Sequence, residues 1–573
     1  MQKNERQNCS IKRDAGDWSP RVFWLGAAAV LLVKLALTSF QMGYTWVGGA
    51  PLDDELMFRA ANAISSGQWL GAYDYLTLSK NMFFAVWLAF LHLLHIPYLI
   101  GGQLLWCGAG LAAALAFGPV LPKKWYNKAK LLIFALLAFL PSSSAHYTLR
   151  VYRDNIFPAL CLLCFAGFAG CALRAVCGAA TKCRLWPWLL AAGAGLAAGY
   201  LNREDAGLFL LPFALAGTVI IAVVLIRQKG WARLAQLLLP YALLAVGIIT
   251  FCTLNFKYYG AFTLSDFSSG SFADAMGAMN RVKSEKGFTR MVSVPADVRQ
   301  TLYDAVPELQ PLAYWLEEDE QLQNDFRDKE LNDYRAGSFY WAIRRAAGFE
   351  GVYDSAAKAD AYWASIAEKI NALCDSGVLP SQTGRRSGTT PPIRAGYILP
   401  VLGESAKGAV WALTFQDCAP YESLRSIGTE DDFAAWQGYL HTKFNGAAEA
   451  GRDTPYYSPP QKLVYGLLDG LRLLYTGALP IAFLFALLAQ LRGVAAAWRG
   501  GEKTRVLWLL LFGFLGMAAL RCAMIAFVEI ASFGIGTSTM YLATVHPLLL
   551  LYAAAGLLSA PLYREKTPKG NTE

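Results

Sequence analysis

The chain is 573 residues long, 55% hydrophobic, 13% aromatic and only 16% charged, with a mean hydropathy of +0.33. That composition excludes an ordinary soluble enzyme and reads as an integral membrane protein. The formal net charge of +9 would suit a nucleic-acid binder, but the basic residues fall in short clusters beside apolar segments, where they set orientation in a bilayer, so no nucleic-acid partner is expected.

After a basic tail (1–21), the first apolar segment starts near residue 22 without a small-residue cleavage site and reads as a retained helix. Stretches long enough to span follow the same pattern near 22–40, 98–119, 131–148, 155–173, 185–200, 206–226, 235–254, 473–491, 506–526 and 537–558. The fold class expected is therefore an all-α polytopic membrane protein of about ten transmembrane helices. Lys and Arg collect on alternate connections: Lys3, Arg6, Lys12, Arg13 and Arg21; Lys123, Lys124, Lys128 and Lys130; Arg174, Lys182 and Arg184. The pattern continues with Arg227, Lys229 and Arg233; Arg492, Arg499, Lys503 and Arg505; and Arg564, Lys566 and Lys569. One orientation puts all of these in the cytoplasm, with both termini inside and a site facing outward from the cytoplasmic (inner) membrane. This holds only if Met82–Ile96, interrupted by His92 and His95 and followed by Pro97, lies in the interface and does not cross.

The resulting division is a membrane module (22–254) with a first external loop (41–97), an external domain of mainly helical or mixed character (255–472), the last spans (473–558) and a cytoplasmic tail (559–573). Helical patterns occur at Val298–Leu316, Ala357–Leu373 and Asp431–Phe444, Glu317–Asp333 is strongly acidic, and 379–400 reads as a long loop. Cys161, Cys164, Cys171, Cys177 and Cys183 sit in or beside one apolar segment without histidine at zinc-like spacing and read as packing residues. Cys374 and Cys418, in the large polar region, are open to a disulfide. His146 and His546 read as packed polar residues.

The chemistry concentrates in Pro51-Leu52-Asp53-Asp54-Glu55-Leu56. Asp53 or Asp54 can cap a helix whose apolar face is Leu56, Met57, Ala60, Ala61 and Ile64 and whose stop is Gly67. Three adjacent carboxylates exceed a cap, and can supply a general base or a metal ligand. Lys80, later in the loop, can snorkel to headgroups or hold a phosphate. Arg150 and Arg153 end the third span, Asp154 opens the fourth, Arg203, Glu204 and Asp205 lie between the fifth and sixth, and Arg521 lies within the ninth. Pairing within neighbours, Arg153 with Asp154 or Arg203 with Glu204, is one reading; an anionic ligand is the other.

These residues, in this order, resemble the glycosyltransferase C superfamily, in the branch that holds the protein O-mannosyltransferases and the lipid A aminoarabinose transferase. The family's acidic pair with an aromatic three positions on is similar to Asp54, Glu55 and Phe58; its phosphate-contacting lysine to Lys80, where the usual Pro-Pro is Asn81-Met82; its acidic opener of the fourth span to Asp154. The run Arg203–Pro212 is similar to the Thr-Arg-Glu-Glu-Gly pattern of related bacterial transferases. The resemblance covers residues 20–260 and implies transfer of a sugar from a polyprenyl-phosphate or diphosphate carrier to a lipid, glycan or protein acceptor. Some members use a divalent metal ion and others do not. It places Asp54 as general base with Asp53, Glu55 or Asp154 in support, and Lys80, Arg150, Arg153, Arg203, Glu204 and Arg521 toward the substrate. A transporter or flippase of lipid-linked saccharides, and a non-catalytic envelope-assembly component, are the competing classes; the absence of a visible internal repeat speaks against the transporter.

Overall fold

In the computed structural model, which describes residues 16–47, 52–177, 184–382, 384–446, 455–534 and 538–563, Ser19 accepts a hydrogen bond from the Val22 N–H at 3.2 Å. With Pro20 in the first turn, this fixes the start of α1 (Pro20–Thr38). Of the expectations above, Lys3, Arg6, Lys12, Arg13, Pro51, Lys182, Cys183, Arg564, Lys566 and Lys569 lie outside the described residues.

The first loop contributes α2 (Asp54–Ser65) and α3 (Phe83–Leu93). At 11 residues α3 cannot cross a bilayer, and Phe84, Ala85 and Leu88 bury into the loop's own core, leaving Phe90 and Leu93 exposed. Then come α4 (Tyr98–Ala116) and α5 (Tyr126–Ala138). Pro141 ends the third predicted span early: α5 and the short α6 (His146–Leu149) meet at a 52° bend. The remaining helices of the module are α7 (Phe157–Ala175), α8 (Trp186–Asn202), α9 (Ala206–Arg227) and α10 (Leu239–Tyr259).

Small residues let α7 and α8 touch: a Cβ on Gly195 would stand 2.6 Å from the Leu160 carbonyl oxygen, and one on Gly167 would stand 2.4 Å from the Ala192 nitrogen. Helix α7 is thereby the bundle's centre, with Phe165, Phe168 and Cys164 fully buried.

Beyond α10 the chain builds a helical core from α11 (Ser271–Met279), α12 (Ala296–Ala305), α13 (Gln310–Glu317), α14 (Glu320–Phe326), α15 (Ala336–Phe349) and α16 (Ala356–Asp375). The predicted helix 298–316 is broken at Pro307, and the acidic span holds α14 and a two-stranded antiparallel hairpin, β1 (Arg327–Asp328) with β2 (Asp333–Tyr334). Next come α17 (Ile398–Thr414) and α18 (Glu430–Leu440), the latter packing its Phe433, Trp436 and Tyr439 on α2 and α3. The last helices are α19 (Pro459–Arg492), α20 (Val494–Arg499), α21 (Glu502–Ala531), α22 (Ser538–Tyr541) and α23 (Val545–Ser559).

Among the described residues eight helices are long and apolar enough to cross a membrane, nine if the bent pair is one span. The fifth predicted segment is a 17-residue helix, α8. The chain is a polytopic, mainly helical membrane protein.

Cys374 and Cys418, left open to a disulfide by the sequence, are not paired. Cys374 is a free thiol buried in the helical core, whereas Cys418 is a free thiol buried against Tyr147 and His546. The two ends of the bundle also separate by charge. Asp17 accepts from the Asn127 N–H, Arg174 donates to the Ala116 and Leu115 carbonyls, and Gln228 donates to Val176 O and Glu502. Among the described residues, the basic connections around Arg21, Lys123, Arg174, Arg227 and Lys503 are thereby gathered at one end, and Asp53, Arg150, Asp154, Arg203 and Arg521 at the other.

Candidate functional site

The site is assembled by the stretch after α1. Tyr44 N–H donates to Leu149 O, and Val151 N–H to Tyr44 O, each at 3.0 Å; Val47 N–H donates to Ile427 O at 2.9 Å. This strand-like clip holds Arg150 beside the start of α2. Arg150 Nη2 lies 2.7 Å and Nε 2.9 Å from Asp54 Oδ1, and the Trp46 N–H donates to Asp54 Oδ2 at 3.0 Å. Asp53 occupies the N-cap position of α2 but its side chain does not cap. It turns instead to the Lys80 ammonium, with Arg150 Nη2 4.0 Å from its other oxygen.

Both predicted neighbour pairs are exchanged. Arg153 Nη1 binds Glu204 with both carboxylate oxygens at 2.9 Å, and Arg203 Nη1 binds Asp154 Oδ2 at 2.8 Å. Steric order explains the swap: Asp154 continues the chain into α7 while Arg203 and Glu204 cross over from the α8–α9 turn, so each arginine meets the carboxylate of the opposite segment. Arg203 Nε also meets Asp205 Oδ1 at 3.0 Å, and Arg521, reaching in from α21, meets Asp205 Oδ2 at 2.6 Å. Asn81 N–H donates to Glu204 at 2.7 Å, tying the Lys80 loop to the same cluster.

Lys80, Arg150, Arg153, Arg203 and Arg521 thus face Asp53, Asp54, Asp154, Glu204 and Asp205 in a charge-balanced array. Tyr152 sits among the cations, its ring centroid 5.0 Å from Arg150, 5.4 Å from Arg153 and 5.8 Å from Lys80. Access differs within the array. The Asp54 side chain is 0% exposed, whereas Asp53 is 33% exposed and Glu204 and Asp205 are each 29% exposed.

Burial pushes the Asp54 carboxyl up to about 6, against the opposing pull of Arg150. Burial also raises Asp53, but Lys80 and Arg150 outweigh it and hold that carboxyl down at about 2. The same contest ends below the ordinary range for Glu204 and Asp205: burial raises each, while Arg153 lowers the first and Arg203 with Arg521 the second. Arg153 Nε and Arg521 Nη2 are buried without a hydrogen-bond partner among the described residues.

Of the residues singled out by sequence, Glu55 lies half-buried and makes none of these contacts. Phe58 stacks on Trp436 at 4.2 Å, which makes it a packing residue between α2 and α18. Tyr152, Asn81 and Tyr541 join the array without a sequence signal for that role, and Asp205 joins it beside Arg203 and Glu204. Asp205 was legible as the third member of Arg-Glu-Asp, while the aromatics carry no sequence signal. His146 lies apart, 3.0 Å from Glu422. Fully buried His546 stacks on Phe415.

No three His, Cys, Asp or Glu side chains among the described residues converge as a metal-ligand set. Each carboxylate of the array is faced by a cation. The donor set therefore does not fit a divalent ion, which prefers several unneutralised oxygens.

Searches against family models find no match to the chain, and none of the curated proteins matches it. Among solved structures it is similar to the apo state of ArnT from Cupriavidus metallidurans, at 14% identity over 94% of this chain and 78% of that one, with a TM-score of 0.27. So loose a likeness carries no argument about fold or function.

Proposed function

We propose that this protein is a membrane glycosyltransferase that moves a sugar from a polyprenyl-phosphate or diphosphate carrier to a lipid, glycan or protein acceptor. The array would sit at the outer face of the cytoplasmic membrane, with both termini inside and residues 255–472 largely external. The observation that carries the reading is that two cations, Lys80 and Arg150, meet on the partly exposed Asp53 beside three further arginines, each paired with a carboxylate, at one end of a helical bundle. The sequence resemblance supports it independently.

In this reading the carrier's phosphate enters against Lys80 and Arg150. Negative charge grows on that phosphate as the sugar leaves, so cations aimed there stabilise the transition state more than the ground state. Asp53 is a poor base while Lys80 and Arg150 neutralise it. A phosphate that takes over those two cations frees the carboxylate and raises its proton affinity, so donor binding itself prepares the base for the acceptor hydroxyl or amine. Asp54, which the resemblance places as the general base, is sealed under Arg150 and in this reading positions that arginine, leaving the base role to Asp53. Glu204, held by Arg153, fixes the Lys80 loop through the Asn81 N–H. No step is routed through a metal ion.

The test is carrier release from a panel of polyprenyl-phosphate sugars by wild type, Asp53→Asn and Lys80→Met in lipid. Asp53→Asn should lower release by about 10²–10⁴-fold, the range for loss of a general base, with the fold intact. Release by Asp53→Asn equal to wild type would overturn the assignment. Translocation of the intact lipid-linked sugar across vesicles without release would favour a flippase.

A further inference from the structure

The loop expected at 379–400 and the external domain expected at 255–472 contain a helix, α17, whose surroundings are those of a membrane element. Its sequence, ILPVLGESAKGAVWALT, buries only Gly408 and Ala412. The opposite face presents Ile398, Leu399, Leu402 and Val410, exposed by 56%, 79%, 60% and 56%. Its two charges satisfy each other, Lys407 Nζ lying 3.2 Å from Glu404 and also over the Trp411 ring. An apolar face of this size on one helix is a liability in water and an anchor at a bilayer surface.

What lies against the buried face locates the helix. It packs on α21, with further contacts to α19, α22 and α23. At its start, Tyr397 meets Phe527 of α21 with ring centroids 6.0 Å apart. Phe527 is six positions past Arg521, roughly 9 Å along the axis at the α-helical rise of about 1.5 Å per residue. At its end, Thr414 O accepts from Thr476 Oγ1 of α19 at 2.9 Å, and Phe415 stacks on His546 at the start of α23. Both ends of α17 therefore touch the spans at the bundle end that holds the charge array, so the helix lies across that end and does not run through the bilayer. Its apolar face continues onto exposed residues of the spans themselves, Leu473 and Leu474 one turn before Thr476 and Val528 beside Phe527.

We infer that α17 is seated in the bilayer, its Ile398, Leu399, Leu402 and Val410 face among acyl chains at the headgroup boundary and Lys407 reaching toward the headgroups. The occupant of the face is lipid because the face is continuous with the lipid-facing surface of the spans. The seat also touches the array: a Cβ on Gly408 would stand 3.1 Å from Leu542. The preceding residue, Tyr541, lies under Arg203 and accepts from Arg521 Nε through its carbonyl. The membrane thus supports one wall of the site through α17, and the inference stands whether or not the chain is a transferase.

The experiment is photolabelling of the full chain in proteoliposomes doped with a phosphatidylcholine carrying a diazirine on its acyl chain, followed by peptide mapping. Adducts are expected on 393–410 as on Ile481 and Phe485 of α19, which are 60% and 59% exposed. Labelling there should exceed that of Tyr314 and Phe349 on the separate helical core by at least about tenfold. Adducts on α19 without adducts on 393–410 would overturn the inference. So would crosslinks between the 393–410 peptides of two copies in place of lipid adducts. A Leu399→Glu, Leu402→Glu variant should lose the 393–410 adducts and keep those on α19; retained labelling in it would also count against the seat.

Discussion

The two ends of the bundle use the same residue types for different work. At one end Arg21, Lys123, Lys124, Arg184, Arg227, Lys229, Arg492 and Arg499 are exposed, and a pair such as Arg227 with Glu502 stretches to 3.8 Å. At the other, Arg150, Arg153, Arg203 and Arg521 are largely withdrawn from solvent, each bound to carboxylates at 2.6–3.1 Å. Exposed charges in high dielectric contribute orientation and little energy, while buried ones must be matched. Burial joined to pairing with carboxylates, and not the count of basic residues, separates the chemical site from the topological signals; Lys130, buried at the basic end, rests on the Phe23 and Tyr126 rings instead.

The contrast can be broken most forcefully at Arg203. Arg203→Met leaves Asp154, which is 1% exposed, uncompensated and should cost about 3–5 kcal/mol, read as a fall in unfolding temperature in nanodiscs. Adding Asp154→Asn should recover part of the loss; no loss at all would make the array ornamental. Next in size is the contact that places the array's segments. Gly195→Ala drives a methyl toward Leu160 O and should cost about 1–3 kcal/mol by overpacking α7 against α8, measured the same way.

A smaller effect is expected from pH. The folded Asp54 carboxyl titrates at about 6, above its ordinary 3.8, so the folded state favours the protonated form. This contribution is complete below about pH 4 and is lost as the pH rises to about 6. Asp53 runs the other way, stabilising above its ordinary pKa and losing that contribution as the pH falls toward about 2. In Asp54→Asn the decline between pH 4 and 6 should disappear from the unfolding profile; an unchanged profile would show that Asp54 is not its source. At the opposite end, Arg227→Gln should change stability by less than about 1 kcal/mol.

Much of the architecture was legible because hydrophobic length and alternating basic clusters are local signals. The ten predicted stretches each contain a helix, but the break at Pro141 was passed over, because the apolar pattern of 131–148 runs on through Pro141-Ser142-Ser143-Ser144. The pairing was not legible. Arg153 with Glu204 and Arg203 with Asp154 depend on how the α8–α9 turn is carried across the start of α7, a matter of packing at Gly167 and Gly195 that sequence spacing does not encode. The relative exposure of Asp53 and Asp54 was equally hidden. Adjacent carboxylates look alike in sequence, and only the clip of residues 44–47 over Arg150 seals one and leaves the other open. The membrane-facing side of α17 was obscured by Gly403, Glu404, Ser405 and Lys407, which dilute its apolar stretch.

The most direct measurement is binding of a polyprenyl phosphate to wild type and to Asp53→Asn, with the uncharged polyprenol as control. If phosphate must displace Asp53 from Lys80 and Arg150, removing the carboxylate frees both cations. Asp53→Asn should then bind the phosphate roughly tenfold more tightly, about 1.4 kcal/mol, while failing to release carrier and leaving polyprenol binding unchanged. Phosphate binding by Asp53→Asn that is equal to or weaker than wild type would contradict the account.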